Sequence, residues 1–175
     1  MNSSSDLKNA IREAPDFPTP GISFKDISPI LENPQLFQKA IHSFRDVITV
    51  IPDYIVAVDA RGFIFGSALA YELKCGLILA RKTGKLPPPT IDQPYDLEYG
   101  KASLSLPAHC LKTNHQVILV DDVLATGGTA LAALQLIQAQ NAVCTQALFL
   151  IELSFLNGAQ RLLPKTNITS LIQYF

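Results

Sequence analysis

The stretch Val117-Ile118-Leu119-Val120-Asp121-Asp122-Val123-Leu124-Ala125-Thr126-Gly127-Gly128-Thr129 decides the reading of this chain. Gln116 to Val120 is a short apolar run, as expected of a strand covered on both faces. It leads into two adjacent acids, a Thr-Gly-Gly-Thr turn, and a helix with Leu131, Leu134 and Ile137 at helical spacing. Gly127 and Gly128 carry no side chains, so backbone N–H groups there can approach an anion closely. The helix that begins beside them adds its partial positive end. Thr126 and Thr129 add hydroxyl donors, and the whole reads as a phosphate cradle. Asp121 and Asp122 cannot help to hold a phosphate, but they are good acceptors for vicinal hydroxyls. A phosphate next to a diol describes a ribose 5-phosphate. Neither the Walker P-loop nor the GxGxxG fingerprint is present. The competing reading is a strand-end acidic pair holding magnesium, as in receiver-like folds, which leaves the Thr-Gly-Gly-Thr turn without a role.

Working outward, Tyr54 to Val58 is a second apolar, β-branched run, and it ends in Asp59-Ala60-Arg61-Gly62 before a helix that continues to about Glu72. Gly76 to Ala80 reads as a strand, and Lys101 to Leu106 as a half-exposed strand because apolar and polar residues alternate. Val143 to Leu153 and Ile168 to Tyr174 read as two more. Upstream, Asn33 with Pro34 predicts a helix start, followed by Leu36, Phe37, Ala40, Ile41, Phe44, Val47 and Ile48 on one buried stripe. Pro15, Pro18, Pro20 and Gly21 forbid regular structure around them. Arg81 to Gly100, with four prolines and two glycines, is expected to be a long structureless connection of the kind used as a functional lid. Strands alternating with helices predict an α/β domain: an open, mostly parallel twisted sheet flanked by helices.

Composition narrows the function classes. The chain of 175 residues fits one domain; 48% of it is apolar and only 17% charged, with 14 Lys+Arg against 15 Asp+Glu. That balance argues against a basic nucleic-acid binder. No apolar run approaches the roughly 20 residues of a membrane span, and MNSSSDLKNAIREA lacks the apolar stretch of a signal peptide. Cys75, Cys110 and Cys144 are far apart and form no CxxC, and His42, His109 and His115 do not pair at ligand spacing. Neither a disulfide framework nor a zinc site is expected, and the compartment is expected to be the cytoplasm.

VILVDDVLATGGT resembles the phosphoribosyl pyrophosphate signature of the type I phosphoribosyltransferases. DFPTPGISFKDISPIL, DARGFIFG, RKTGKLPPPT, YDLEYGKA and the closing SLIQYF resemble the adenine branch of that family, from about residue 16 to the end. The resemblance implies one domain over residues 1–175, with an N-terminal hood at about 1–34 and a flexible catalytic loop at about 82–100. It implies transfer of the 5-phosphoribosyl group from phosphoribosyl pyrophosphate to adenine, giving AMP and pyrophosphate. The alternatives are transfer to a 6-oxopurine and a non-catalytic purine-sensing regulator.

The resemblance also assigns residues. Ala125, Thr126, Gly127, Gly128 and Thr129 would hold the 5-phosphate, and Asp121 and Asp122 the ribose hydroxyls. Ala60, Arg61 and Gly62, with Arg81, Lys82 and Lys85, would hold pyrophosphate, Arg61 by a bidentate grip. Glu98 would accept the proton that adenine loses at N9, beside Tyr99 in the lid, whose closure keeps water from the cationic ribose. Ser23, Phe24 and Lys25 would meet the base, Phe24 by stacking and the main chain by reading the amine and N1. The family usually shows serine at Ala60, valine and arginine at Ser23 and Lys25, and glycine at Pro88. Magnesium is expected to arrive with the donor, without direct protein ligands. A homodimer is implied, with Arg81 offered across it.

Overall fold

A computed structural model of the chain describes residues 3–96 and 101–175. The chain order is α1 (Ser3–Ala10), β1 (Arg12–Ala14), β2 (Phe24–Asp26), α2 (Ser28–Glu32), α3 (Pro34–Asp46), β3 (Tyr54–Val58), α4 (Gly62–Leu73), β4 (Gly76–Lys82), β5 (Thr90–Asp96), β6 (Lys101–Pro107), β7 (Gln116–Leu124), α5 (Gly128–Ala139), β8 (Val143–Leu153), α6 (Gly158–Leu162) and β9 (Asn167–Tyr174). Seven strands form one sheet in the order β5-β6-β4-β3-β7-β8-β9, and β1 with β2 forms a separate ribbon. The strands β4, β3, β7, β8 and β9 are parallel neighbours, while β6 and β5 add an antiparallel hairpin at one edge.

Side chains of the buried strands divide by the period of two. Val56, Val58, Val117, Leu119, Ala147 and Phe149 face α5 and its Ala133, Leu134 and Ile137. Ile55, Ile118, Val120, Leu148 and Leu150 face the other layer, with Ile30, Phe44, Phe65 and Leu69 from α2, α3 and α4. Asn33 caps α3 as its position predicts, its side chain accepting from the N–H groups of Gln35 and Leu36 at 3.0 and 3.1 Å.

Three elements differ from the sequence reading. The strand at Val117 continues through both acids to Leu124, because the eleven-residue β8 keeps pairing with it (Asp121 opposite Phe149, Leu124 opposite Glu152). Part of the expected structureless lid is a strand: Thr90–Asp96 pairs with β6 along its whole length, and Ile91 packs against the core. Pro94 is tolerated there because β5 is the edge strand. Finally, the polar SSSDLKNA forms α1, held by Leu7, which is fully buried. Cys144 is buried, and Cys75 and Cys110 are partly so.

Candidate active site

The strand order reverses between β3 and β7. The connection through α4 carries β3 to β4 on one side, and the connection through α5 carries β7 to β8 on the other. Ligands in open α/β sheets bind outside the carboxyl ends of the strands at such a switch point. Both expected anion loops stand there. Asp59, Ala60 and Arg61 leave β3, with a cis peptide between Asp59 and Ala60, and Gly62 opens α4. A Cβ on Gly62 would lie 2.9 Å from Asp121 Oδ1 and 2.9 Å from the Val120 carbonyl oxygen, so only glycine lets this helix start against β7.

Asp121 and Asp122 point to opposite sides of β7, yet both border a cavity of about 390 Å³ together with Asp59, Ala60, Arg61, Lys82, Tyr95, Ala102 and Thr129. The N–H of Asp122 donates to Asp121 Oδ1 at 2.8 Å. Arg61 Nη2 lies 2.7 Å from Asp122 Oδ2, but its N–H groups are not aligned on that oxygen, so the contact is an ion pair rather than a hydrogen bond. Asp121 keeps some exposure to the cavity, although its carboxylate lies deep among protein atoms. Burial, and after it the Asp122 charge, holds the Asp121 carboxyl well above the ordinary carboxylate range. Burial also raises Asp122, opposed by the Arg61 charge.

The glycine loop expected to hold the phosphate follows. Asp121, Ala125, Thr126, Gly127, Gly128 and Thr129 surround a small cavity of about 70 Å³ at the N-terminus of α5. Gly127 caps that helix at φ +79°, in the left-handed region that glycine occupies without strain. A Cβ there would stand 2.7 Å from the Gly158 carbonyl oxygen, so the first residue of α6 supports the loop from below. Arg161 Nη1 donates to the Thr126 carbonyl at 3.2 Å. Neither Gly158 nor Arg161 was expected from the sequence; the Asn157-Gly158 turn after a long strand is the signal that could have drawn attention to them.

Of the cations expected to hold pyrophosphate, Lys82 lines the cavity beside Arg61. Arg81 is turned to its own chain: Nε donates to Asp59 Oδ2 at 3.2 Å, and Nη1 to the Lys85 carbonyl at 3.1 Å. Lys85 is exposed and does not line the cavity. At the hood, Phe24 receives the Arg61 guanidinium 4.9 Å from its ring centroid and meets Phe17 edge-on at 5.3 Å. Lys25 points to the other face of β2 and is buried against Glu13. Its side chain is therefore engaged within the protein. Ser23 and Lys25 border a cavity of about 670 Å³ that also touches Ala125, Leu153, Phe155 and Tyr174. Ala125 thus joins the phosphate loop to the hood. Glu98 and Tyr99 lie outside the described residues.

Residues 26–173 match the phosphoribosyl transferase domain family. An adenine phosphoribosyltransferase of Pseudothermotoga lettingae is 50% identical over 158 residues, covering 90% of this chain and 93% of that protein. The chain belongs to the adenine phosphoribosyltransferase family. A crystal structure of an adenine phosphoribosyltransferase from Thermoanaerobacter pseudethanolicus superposes with a TM-score of 0.94 at 41% identity, covering 98% of this chain and 99% of that one. The Saccharomyces cerevisiae adenine phosphoribosyltransferase, solved with D-2,5-dideoxy-2,5-imino-altritol 1,6-bisphosphate and adenine, gives 0.93 at 38% identity, covering 97% and 98%. The adenine phosphoribosyltransferase fold thus brings Ala60, Arg61, Gly62, Lys82, Asp121, Asp122 and the residues from Ala125 to Thr129 to one crevice, with Phe24 joined to it through Arg61.

Proposed function

We propose that this protein transfers the 5-phosphoribosyl group of phosphoribosyl pyrophosphate to N9 of adenine, giving AMP and pyrophosphate. The observation that carries this reading is the acid pair Asp121 and Asp122, set between the glycine loop at the start of α5 and Arg61 at the start of α4. That arrangement offers two anion-binding helix ends with diol acceptors between them. The 5-phosphate lies against the N–H groups of Ala125 to Thr129 and the hydroxyls of Thr126 and Thr129. The ribose hydroxyls donate to Asp121 and Asp122, and Arg61, Lys82 and the loop at Ala60 and Gly62 take the pyrophosphate, with Arg81 and Lys85 behind them. Departing pyrophosphate leaves the bonding pair on its oxygen, and the charge it gains is met by these cations. N9 then bonds to the ribose carbon and gives its proton to Glu98, beside Tyr99 in the lid.

The base enters between the hood and the phosphate loop, where Ser23, Lys25, Ala125 and Leu153 border the larger cavity. Phe24 stacks on it, and the extended main chain at Ser23 to Lys25 reads the amine and N1. Magnesium would come with the donor and would neutralise charge on its pyrophosphate. The chain's donor set, two carboxylates at the cavity wall, suits an ion that keeps its waters.

A homodimer accords with Ile64 and Tyr71, which project from α4 at 37% and 87% exposure, and Leu77, which is also exposed. Free Cys75, Cys110 and Cys144 accord with the reducing cytoplasm. None of the helices among the described residues is long and apolar enough to cross a membrane.

The test is product formation from phosphoribosyl pyrophosphate with adenine, hypoxanthine or guanine, for the wild-type chain and Glu98→Ala. Adenine alone should be consumed. Turnover of a 6-oxopurine instead would replace the acceptor assignment, and equal rates for wild type and variant would remove Glu98 from the chemistry.

A further inference from the structure

The hood ribbon makes no ladder with the main sheet. A two-stranded ribbon is marginal by itself, so side chains must fix its height over the site. Its two faces are held differently. On one, Phe24 packs against Arg61 and Phe17. On the other lies Lys25, whose side chain is 8% exposed and whose ammonium is surrounded on three sides. Glu13 Oε1 is 2.9 Å away, Ser23 Oγ accepts from Nζ at 3.2 Å, and the Tyr174 ring centroid is 4.3 Å away. Tyr174 ends β9, the last strand of the main sheet. Lys8 of α1 sits over the same ring at 4.7 Å and donates to the Gln173 carbonyl at 2.8 Å. The main sheet and the two segments that precede and form the hood therefore converge on one tyrosine.

We propose that Lys25 is a positioning residue for base recognition: its ammonium, held between Glu13 and the face of Tyr174, ties the hood to the main sheet and sets the height of Ser23 to Lys25 over the base. The inference rests on the reading above of that cavity as the base site. A buried cation that loses its partners is costly, so the cluster behaves as a unit. An ammonium over a ring needs the π face and not the hydroxyl, which separates this role from a hydrogen bond made by the phenol. Among the described residues no hydrogen bond or ion pair joins Lys25 or Tyr174 to Ala125–Thr129 or to Arg61, so the donor side should be insulated from the strut.

The experiment compares Lys25→Met, Lys25→Arg, Tyr174→Leu and Tyr174→Phe with wild type, by steady-state kinetics in both substrates and by hydrogen exchange at the amides of Ile22 to Asp26. Lys25→Met and Tyr174→Leu should raise KM for adenine about tenfold, with KM for the phosphoribosyl donor changed less than about twofold. Both should speed exchange in the hood. Lys25→Arg should bring both readouts back toward wild type, and Tyr174→Phe should lose less than Tyr174→Leu in both. An unchanged KM for adenine in Lys25→Met, an equal rise in both KM values, or the same loss in Tyr174→Phe as in Tyr174→Leu would overturn the proposal. If wild type fails to convert adenine, the activity reading fails on that arm alone. The strut is then judged by exchange, and unchanged hood protection in Lys25→Met overturns it.

Discussion

Arg61 Nη2 stands 2.7 Å from Asp122 Oδ2, joining the loop after β3 to the end of β7. The cation expected to hold pyrophosphate thus also neutralises one of the acids expected to hold the sugar. The same guanidinium lies over the Phe24 ring of the hood, 4.9 Å from its centroid. One side chain therefore touches the sites proposed for all three parts of the reaction.

Removing this cation leaves Asp122, almost fully buried, without its counter-charge. Arg61→Ala should destabilise the fold by about 3 kcal/mol, the lower end of the cost of a buried charge left without its partner, and should abolish turnover. The double variant Arg61→Ala/Asp122→Asn should recover melting temperature without recovering activity. Thermal melts of the three proteins decide it: a double variant no more stable than Arg61→Ala would show that the ion pair is not what stabilises the junction.

Asp121 carries a pH signature. Its carboxyl is held well above the ordinary range by burial first and by Asp122 second. Between its unfolded and folded values the folded state binds more protons, so stability is full below the ordinary carboxylate range and declines as pH rises through the folded value. Asp121→Asn keeps the acceptor for the Asp122 N–H and removes the charge. It should melt above wild type at pH 8, the difference should shrink toward about pH 4, and donor affinity should fall. A difference that is the same at both pH values would contradict this account.

Gly158 lies outside the signature but beneath it. A Cβ there would stand 2.8 Å from the Gly127 nitrogen and 2.9 Å from the Thr126 carbonyl carbon, both backbone atoms with no rotamer to give way. Gly158→Ala should weaken ribose 5-phosphate binding by about tenfold, or 1.4 kcal/mol, read by isothermal titration. Undiminished affinity would mean that the loop tolerates displacement from below.

The hairpin of β5 and β6 is held to β4 by a chain of hydroxyls. Buried Ser105 donates to Asp92 Oδ1 on β5 and shares a hydrogen bond of 2.9 Å with Thr83 Oγ1 just after β4. Thr83 and Asp92 are exposed and can turn to water, so Ser105→Ala should cost only about 0.5–1.5 kcal/mol, with faster amide exchange along Thr90 to Tyr95. If exchange rises evenly over the whole domain instead, the chain is not a local clamp.

Legibility in the sequence followed the physical reach of each signal. Tyr54 to Val58 and Val143 to Leu153 were readable to the residue because buried parallel strands must be apolar on both faces. β7 ran past its readable end because pairing with β8 outweighed the loop preference of two acids. β5 was hidden because an edge strand held by backbone pairing needs few apolar side chains. The glycine loop and its acids were visible because glycine and carboxylates carry their chemistry locally. Arg61 meeting Asp122, Gly158 under Gly127 and Lys25 on Tyr174 join residues far apart in the chain, and no local pattern encodes such pairs.

The helices α4 and α5 approach the crevice from opposite layers of the sheet, and each presents its amino end there. A ligand with a phosphate at one end and a pyrophosphate at the other would be riveted through the domain, one head on each side, whereas either end alone would grip a single layer. Phosphoribosyl pyrophosphate should accordingly raise the melting temperature by more than saturating ribose 5-phosphate or pyrophosphate does alone.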